Sequence, residues 1–180
     1  MMSAPIAVVG SLNMDFVVQV DRLPLPGETV RGSGFVTIPG GKGANQACAV
    51  GRLGGRALMV GRVGDDVFGA QLRESLAASG VDTHAVLPTE GTASGVALIF
   101  VQAGGQNQIV IAAGANARLT PGDVADALDA SEGGYLLLQL ESPMETVEAA
   151  AALGRTRGMK VILDPAPARP LPDALLANVD

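Results

Sequence analysis

Gly40-Gly41-Lys42-Gly43-Ala44-Asn45-Gln46-Ala47-Cys48-Ala49-Val50 is the stretch that decides the fold. A glycine-rich segment runs into an alanine-rich one, which favours helix, and Gly54-Gly55 marks its end. Ahead of it, Ile6-Ala7-Val8-Val9 is a short apolar run with β-branched residues, closed by Gly10, and reads as a strand buried on both faces. Behind it, Ala57 to Val60 reads as a second buried strand. Asp66 to Ala78 then carries apolar residues at Val67, Ala70 or Leu72, and Leu76 before Gly80, a helical pattern. Strand and helix therefore alternate, the signature of a parallel sheet with helices on both faces.

The remaining segments extend this order. Phe16 to Val20 and Thr29 to Ile38 are strand-like and separated by the loop Leu23-Pro24-Leu25-Pro26-Gly27, so they read as an excursion from the main sheet. Gly95 to Val101 and Gln108 to Ile111 flank Gly104-Gly105, and are expected to form a hairpin joined to that excursion. Thr120-Pro121-Gly122-Asp123 starts a helix running to about Asp129, with the hydroxyl as cap, proline at the first position and an acid at the third. Tyr135 to Leu140 and Lys160 to Leu163 are strands. Between them, Ser142-Pro143-Met144-Glu145 reads as a capping box opening a helix, with Arg155, Arg157 and Gly158 at its end. Asp164 to Pro170 is a proline-rich loop, and Pro172 to Val179 a final short helix.

Composition agrees with one layered α/β domain. The chain has 180 residues, of which 48% are hydrophobic, 3% aromatic and 17% charged, so the core is built from Ala, Val, Leu and Ile. A net charge of −6 argues against nucleic acid as a partner, because duplex binding relies on a basic surface to displace counterions. No apolar run reaches the roughly 18–20 residues that span a bilayer, and Met1 to Ala7 lacks the pattern of a signal peptide, so no membrane partner and a soluble, cytoplasmic chain are expected. The single cysteine, Cys48, has no intrachain partner and reads as a small core residue.

Polar residues gather where open α/β sheets bind ligands, beyond the carboxyl ends of the strands. Asn13, Asp15, Gly40, Gly41, Lys42, Gly43, Asn45 and Glu141 all fall on that rim. Asn and Asp offer donors and acceptors to vicinal hydroxyls, and glycines at Gly41 to Gly43 allow close approach to backbone N–H groups, so a polyol is the natural ligand. The helix start near Gly43, with Lys42, would also favour negative charge. Each residue alone has a plain structural reading: Asn13 or Asp15 as turn or cap, Lys42 as a solvated side chain, Glu141 as a solvated acid before a helix. Gly61-Arg62-Val63-Gly64-Asp65-Asp66 reads as a strand-to-helix turn with Asp65 or Asp66 as cap. His84, the only histidine, has no partner pattern for a metal. Two nucleotide motifs fail. Gly43 follows Gly41-Lys42 where a P-loop needs Ser or Thr, and Gln46 stands where the dinucleotide fingerprint needs its third glycine.

The order of segments resembles the amino-terminal part of the ribokinase group in the PfkB carbohydrate kinase family. The residues that carry the likeness are Val8-Val9-Gly10-Ser11-Leu12-Asn13-Met14-Asp15, Pro26-Gly27-Glu28-Thr29, Gly40 to Ala47, Gly61 to Asp66 and Gly95 to Val101. Ala113-Gly114-Ala115-Asn116, Gln139 to Pro143 and Asp164 to Ala168 continue it in the same order. The resemblance implies a three-layer α/β/α fold over 1–180, incomplete at the carboxyl end, with a mostly parallel, Rossmann-like sheet. It also implies a small β-sheet lid from segments of about 14–38 and 95–112, which closes over the sugar and pairs with a second subunit in a homodimer. By the same resemblance, Asn13, Asp15, Gly41, Lys42, Gly43, Asn45 and Glu141 are the substrate-binding residues, and the reaction is phosphorylation of D-ribose at its 5-hydroxyl. The phosphoryl donor it implies is ATP with magnesium, and potassium or a similar monovalent cation is the activator.

One departure bears on activity. The Asp-Thr-x-Gly-Ala-Gly-Asp type of motif, which the resemblance makes the source of anion hole and catalytic base, does not occur between Met1 and Asp180. The ATP and potassium sites are likewise expected beyond Asp180. Phosphoryl transfer depends on positioning and charge stabilisation, so this chain alone is expected to be inactive. A noncatalytic sugar-binding or dimerising module is the alternative, and a dinucleotide-binding domain a third reading weakened by the failed fingerprint. An unpaired sheet edge after Asp180 would favour assembly or poor solubility.

Overall fold

The structure, a computed structural model, describes residues 4–129 and 134–180, so the first three residues of the Met1–Ala7 stretch lie outside it. The elements run β1 (Pro5–Val9), β2 (Asn13–Val20), β3 (Gly32–Gly40), α1 (Lys42–Arg52), β4 (Arg56–Gly64), α2 (Val67–Ala78), β5 (Val81–Asp82) and β6 (Val86–Thr89). They continue with β7 (Gly95–Gln102), β8 (Asn107–Ala112), a 3-10 turn (Gly114–Arg118), α3 (Pro121–Ala127), β9 (Tyr135–Leu138), α4 (Met144–Thr156), β10 (Lys160–Leu163) and α5 (Asp173–Leu176).

Among the described residues, six strands form the main sheet in the order β10-β9-β1-β4-β5, with β6 pairing the far half of β4. Every pair in it is parallel. The apolar runs behave as a doubly covered sheet requires, because successive side chains of one strand point to opposite faces. Ala7 and Val9 of β1 join Leu136 and Leu138 of β9 on one face, under Val124, Val147, Ala150 and Leu175 from α3, α4 and α5. Val8 joins Ala57 and Met59 of β4 on the other face, under Ala44 and Ala47 of α1 and Leu72 and Leu76 of α2. Cys48 packs against the edge of that second cluster, as a small core residue would.

A second sheet of four strands, ordered β3-β2-β7-β8, stands beside the first and forms a small mixed lid. Its two central strands are parallel and its outer pairs antiparallel. Phe16 of β2 ties it to the main body: its ring meets Phe68 of α2 edge-on at 5.4 Å and stacks on Phe35 of β3 at 6.1 Å. Among the described residues no helix is long and apolar enough to cross a membrane.

Several local expectations change. Gly61 to Gly64 is not a turn: β4 continues through it and pairs with β6. The glycines serve packing, since a Cβ on Gly61 would lie 2.5 Å from Leu12 Cδ1 and one on Gly64 2.4 Å from the Ser94 nitrogen. Asp66 is the cap of α2, accepting from Gly69 N–H at 2.8 Å, and it also accepts from the Ser94 hydroxyl and N–H, which fastens the start of β7. Thr120 and Asp123 do form a reciprocal capping box on α3. Ser142 does not form one on α4: Pro143 occupies the cap position with no side-chain bond, and the buried Ser142 hydroxyl has no partner among the described residues. The final helix is shorter than Pro172 to Val179, spanning Asp173–Leu176.

Candidate functional site

The chain leaves β1 at Gly10, crosses through Ser11 and Leu12, and enters β2 at Asn13, so the first lid strand begins at the carboxyl end of the main sheet. The return strand β3 ends at Gly40, directly opposite Asn13, and feeds α1 through Gly41. Gly41 has φ 95 and a Cβ there would lie 2.7 Å from both the Asn13 nitrogen and the Ser11 carbonyl oxygen. Only glycine fits both that backbone and that gap. Gly43 answers a different need from ligand approach. Its Cβ would lie 2.7 Å from the Gly10 carbonyl carbon, so its bareness lets α1 press against the end of β1.

A cleft of about 130 Å³ opens between the lid and the rim of the main sheet, lined by Gly41, Lys42, Asn45 and Glu141 from the rim and by Asn13, Asp15, Ala97, Ile99, Ile109 and Ile111 from the lid strands β2, β7 and β8. Of the residues predicted to bind substrate, Gly43 alone is not in the lining, and Gly40 of the predicted rim is likewise outside it. The cleft continues past Asn13 and Glu141 into a hollow of about 490 Å³ bordered by Asn116, Leu140 and Pro143.

Glu141 is not a solvated acid. Its side chain is 9% exposed, accepts from the Ser11 hydroxyl at 2.6 Å and from the Lys42 N–H at 3.4 Å, and pairs with Lys42 Nζ at 3.8 Å. Since Gly41 offers no side-chain cap, this carboxylate from beyond β9 stands at the positive end of α1. Asp15 is half-buried and no described residue forms an ion pair with it. Burial, and then repulsion from Glu141, push its carboxyl above the usual range. Asn45 is exposed on the first turn of α1, at the mouth of the cleft.

Because its folded pKa is raised, Asp15 binds a proton more tightly in the folded chain than in the unfolded one, so folding stability falls as pH rises through the window between the two values. Above that window the ionised group opposes folding. Replacing Asp15 by Asn is therefore expected to raise Tm at neutral pH, with the gain vanishing as pH drops below the ordinary carboxylate range. Thermal melts of both forms across pH 3 to 8, on the scale of normal carboxylate titration, check this; a Tm difference independent of pH counts against it.

Residues that sequence patterns did not single out complete the site. Ser11 is fully buried against Glu141, and Asn116 holds Leu12 and Asn13 from the 3-10 turn. Both lay within segments of family likeness, but nothing local marked them.

A parallel α/β sheet with a four-stranded lid and a polar cleft between them defines a carbohydrate kinase architecture, and the chain belongs to the pfkB family of carbohydrate kinases, whose model matches residues 3–180. It is 47% identical over 167 residues to a ribokinase of Bacillus subtilis, covering 92% of this chain and 57% of that protein. It is 42% identical over 164 residues to a deoxyribokinase of Salmonella typhi, covering 91% of this chain and 54% of that protein. The Arabidopsis thaliana ribokinase solved with ribose and ATP superposes with a TM-score of 0.86 at 34% identity, over 99% of this chain and 59% of that one. The chain thus spans a little over half the length of the relatives it matches.

Proposed function

We propose that this chain carries the sugar-binding part of an ATP-dependent pentose kinase, with D-ribose as its preferred ligand and D-ribose 5-phosphate as the product of the whole reaction. The observation that carries this reading is the Asp15 carboxylate, half-buried at the cleft and supplied with no hydrogen-bond donor by the described residues. Such a group wants hydroxyl donors, and a polyol brings several. Asn13, Asn45 and Lys42 add further polar groups around it, while Ala97, Ile99, Ile109 and Ile111 offer an apolar wall to the carbon face of a sugar ring. The likenesses to a ribokinase and a deoxyribokinase support a pentose as the ligand.

ATP with magnesium would be the phosphoryl donor, and potassium or a similar cation the activator. The described residues do not make a triphosphate site: among them Lys42 is the one cation lining the cleft, and it is paired with Glu141. With no Gly-Ala-Gly-Asp string in the sequence, this chain is proposed to bind sugar without turning it over. ATP as donor fits a cytoplasmic setting. Self-association through the lid is supported by its exposed apolar side chains, among them Phe35 and Val110, both 61% exposed. That face also favours the second reading, a noncatalytic sugar-binding or dimerising module.

Calorimetry on the purified chain tests the proposal. Heat on adding ribose, none on adding ATP, and no ribose-dependent ADP are the expected results. Absence of ribose heat would remove the sugar reading, and ADP formation would remove the proposed inactivity.

A further inference from the structure

Asn116 lies in the 3-10 turn between β8 and α3 and is 2% exposed. Its side chain reaches the junction of β1 and β2. Leu12 N–H donates to Asn116 Oδ1 at 2.9 Å, while Asn116 Nδ2 donates to the Leu12 carbonyl at 2.9 Å and to Asn13 Oδ1 at 2.8 Å. The order of these bonds is forced. A backbone N–H can only donate, so the atom of Asn116 facing it must be the oxygen, and Nδ2 must face the Leu12 carbonyl and Asn13. Both hydrogens of that amide are then used, and the atom of Asn13 that meets it must be an acceptor. Asn13 therefore turns its oxygen inward and keeps its Nδ2 donor for the cleft that it lines.

The surroundings leave no slack for another arrangement. A Cβ on Gly95, the residue paired with Asn13 on β7, would lie 2.2 Å from Asn116 Nδ2 and 2.3 Å from Asn13 Oδ1. The turn itself is pinned by Ala115 N–H donating to the Ala93 carbonyl at 2.8 Å.

We propose that Asn116 is a positioning residue that sets the polarity of the Asn13 side chain, so that Asn13 meets a sugar hydroxyl as a hydrogen-bond donor. This rests on the sugar-binding reading of the cleft. Asp15, an acceptor, lines the same cleft two residues along β2. Donor and acceptor side by side orient a diol: one hydroxyl gives its proton to Asp15, and a hydroxyl oxygen accepts from Asn13. An Asn13 turned the other way would present two neighbouring acceptors.

Hydrogen exchange of the 15N-labelled asparagine side chains, read by NMR on the full chain, tests the polarity with and without D-ribose. In the free chain both residues are nearly buried, at 2% and 3% exposed, but the doubly bonded Asn116 Nδ2 protons are expected to exchange more slowly than those of Asn13, which face the cleft; the reverse order overturns the proposal. On saturation with ribose the Asn13 protons are expected to shift and slow, and ribose heat without that change overturns it. Asn116→Asp keeps the shape but cannot donate, so Asn13 should turn its amide inward, its protons should become protected, and ribose affinity should fall about tenfold to a hundredfold. Unchanged affinity in a folded N116D overturns the proposal. Should that variant not fold, Asn13→Asp replaces it: the acceptor toward Asn116 is retained, so the Asn116 protons stay protected while ribose affinity falls. Retained ribose affinity in N13D counts against the proposal. The expected exchange pattern in a chain that takes up no ribose supports the polarity and removes only the sugar reading.

Discussion

Alanine at Gly41 is expected to cost about 2–6 kcal/mol of folding stability and to remove sugar binding with it. Two terms add. The backbone at φ 95 is one that a residue with a Cβ occupies only under strain, about 1–3 kcal/mol. The methyl carbon would also lie 2.7 Å from the Ser11 carbonyl oxygen and the Asn13 nitrogen and 2.8 Å from Leu12 Cα, all backbone atoms that cannot swing aside, and overpacking of this kind costs roughly another 1–3 kcal/mol. Relief would require α1 to move away from the junction of β1 and β2, which carries Lys42 and Asn45 away from Asn13 and Asp15. Against a total stability of about 5–15 kcal/mol this is a large loss. Thermal unfolding followed by circular dichroism should show Tm lower by roughly 4–24 °C, and ribose heat should vanish. A Gly41→Ala chain that melts like the parent and still binds ribose would contradict the packing described for this turn.

Removing the Glu141 carboxylate is expected to weaken ribose binding by about a hundredfold while leaving a folded chain. Glu141→Ala takes away the acceptor of the Ser11 hydroxyl, the anion at the start of α1 and the counterion of Lys42 in one step. Ser11 is fully buried, and stranding its hydroxyl costs about 1–3 kcal/mol. Asp15 supplies an internal check. Since repulsion from Glu141 is one of the two causes that raise its pKa, Glu141→Gln should bring the Asp15 carboxyl back toward its ordinary range, with burial still holding it somewhat above. Carbon-detected NMR titration of the Asp15 carboxyl measures this directly. An Asp15 titration unmoved by the substitution would mean that the two acids do not sense each other, and the cleft's electrostatics would need another description.

Strand and helix order was readable because it follows from local pattern. The run Ile6 to Val9 could be placed inside a doubly covered sheet since no half-exposed strand tolerates four apolar residues in succession, and Ala7, Val8 and Val9 are indeed buried on alternate faces. Thr120 and Asp123 could be read as a capping box because both partners lie within one turn. The same rule misled at Ser142, where the pattern Ser-Pro-Met-Glu is present but Pro143 takes the cap position and the hydroxyl points into the interior. It misled again at Gly61 to Gly64, where glycines that look like a turn are bare because Leu12 and the Ser94 backbone press on β4.

Composition and short-range periodicity were enough to define a parallel α/β body, a β excursion and a rim bearing Asn13, Asp15, Lys42, Asn45 and Glu141, since each depends only on residues within a few positions of one another. Tertiary structure decided what those residues do to each other. That Glu141 caps a helix whose first residue lies 99 positions earlier, that Gly43 serves helix packing, and that Asn116 turns the amide of Asn13 from 103 positions away are outcomes of chain segments meeting in space. Hydrogen-bond direction and close contact act over about 3 Å, and one-dimensional spacing carries no record of which distant atoms come that near.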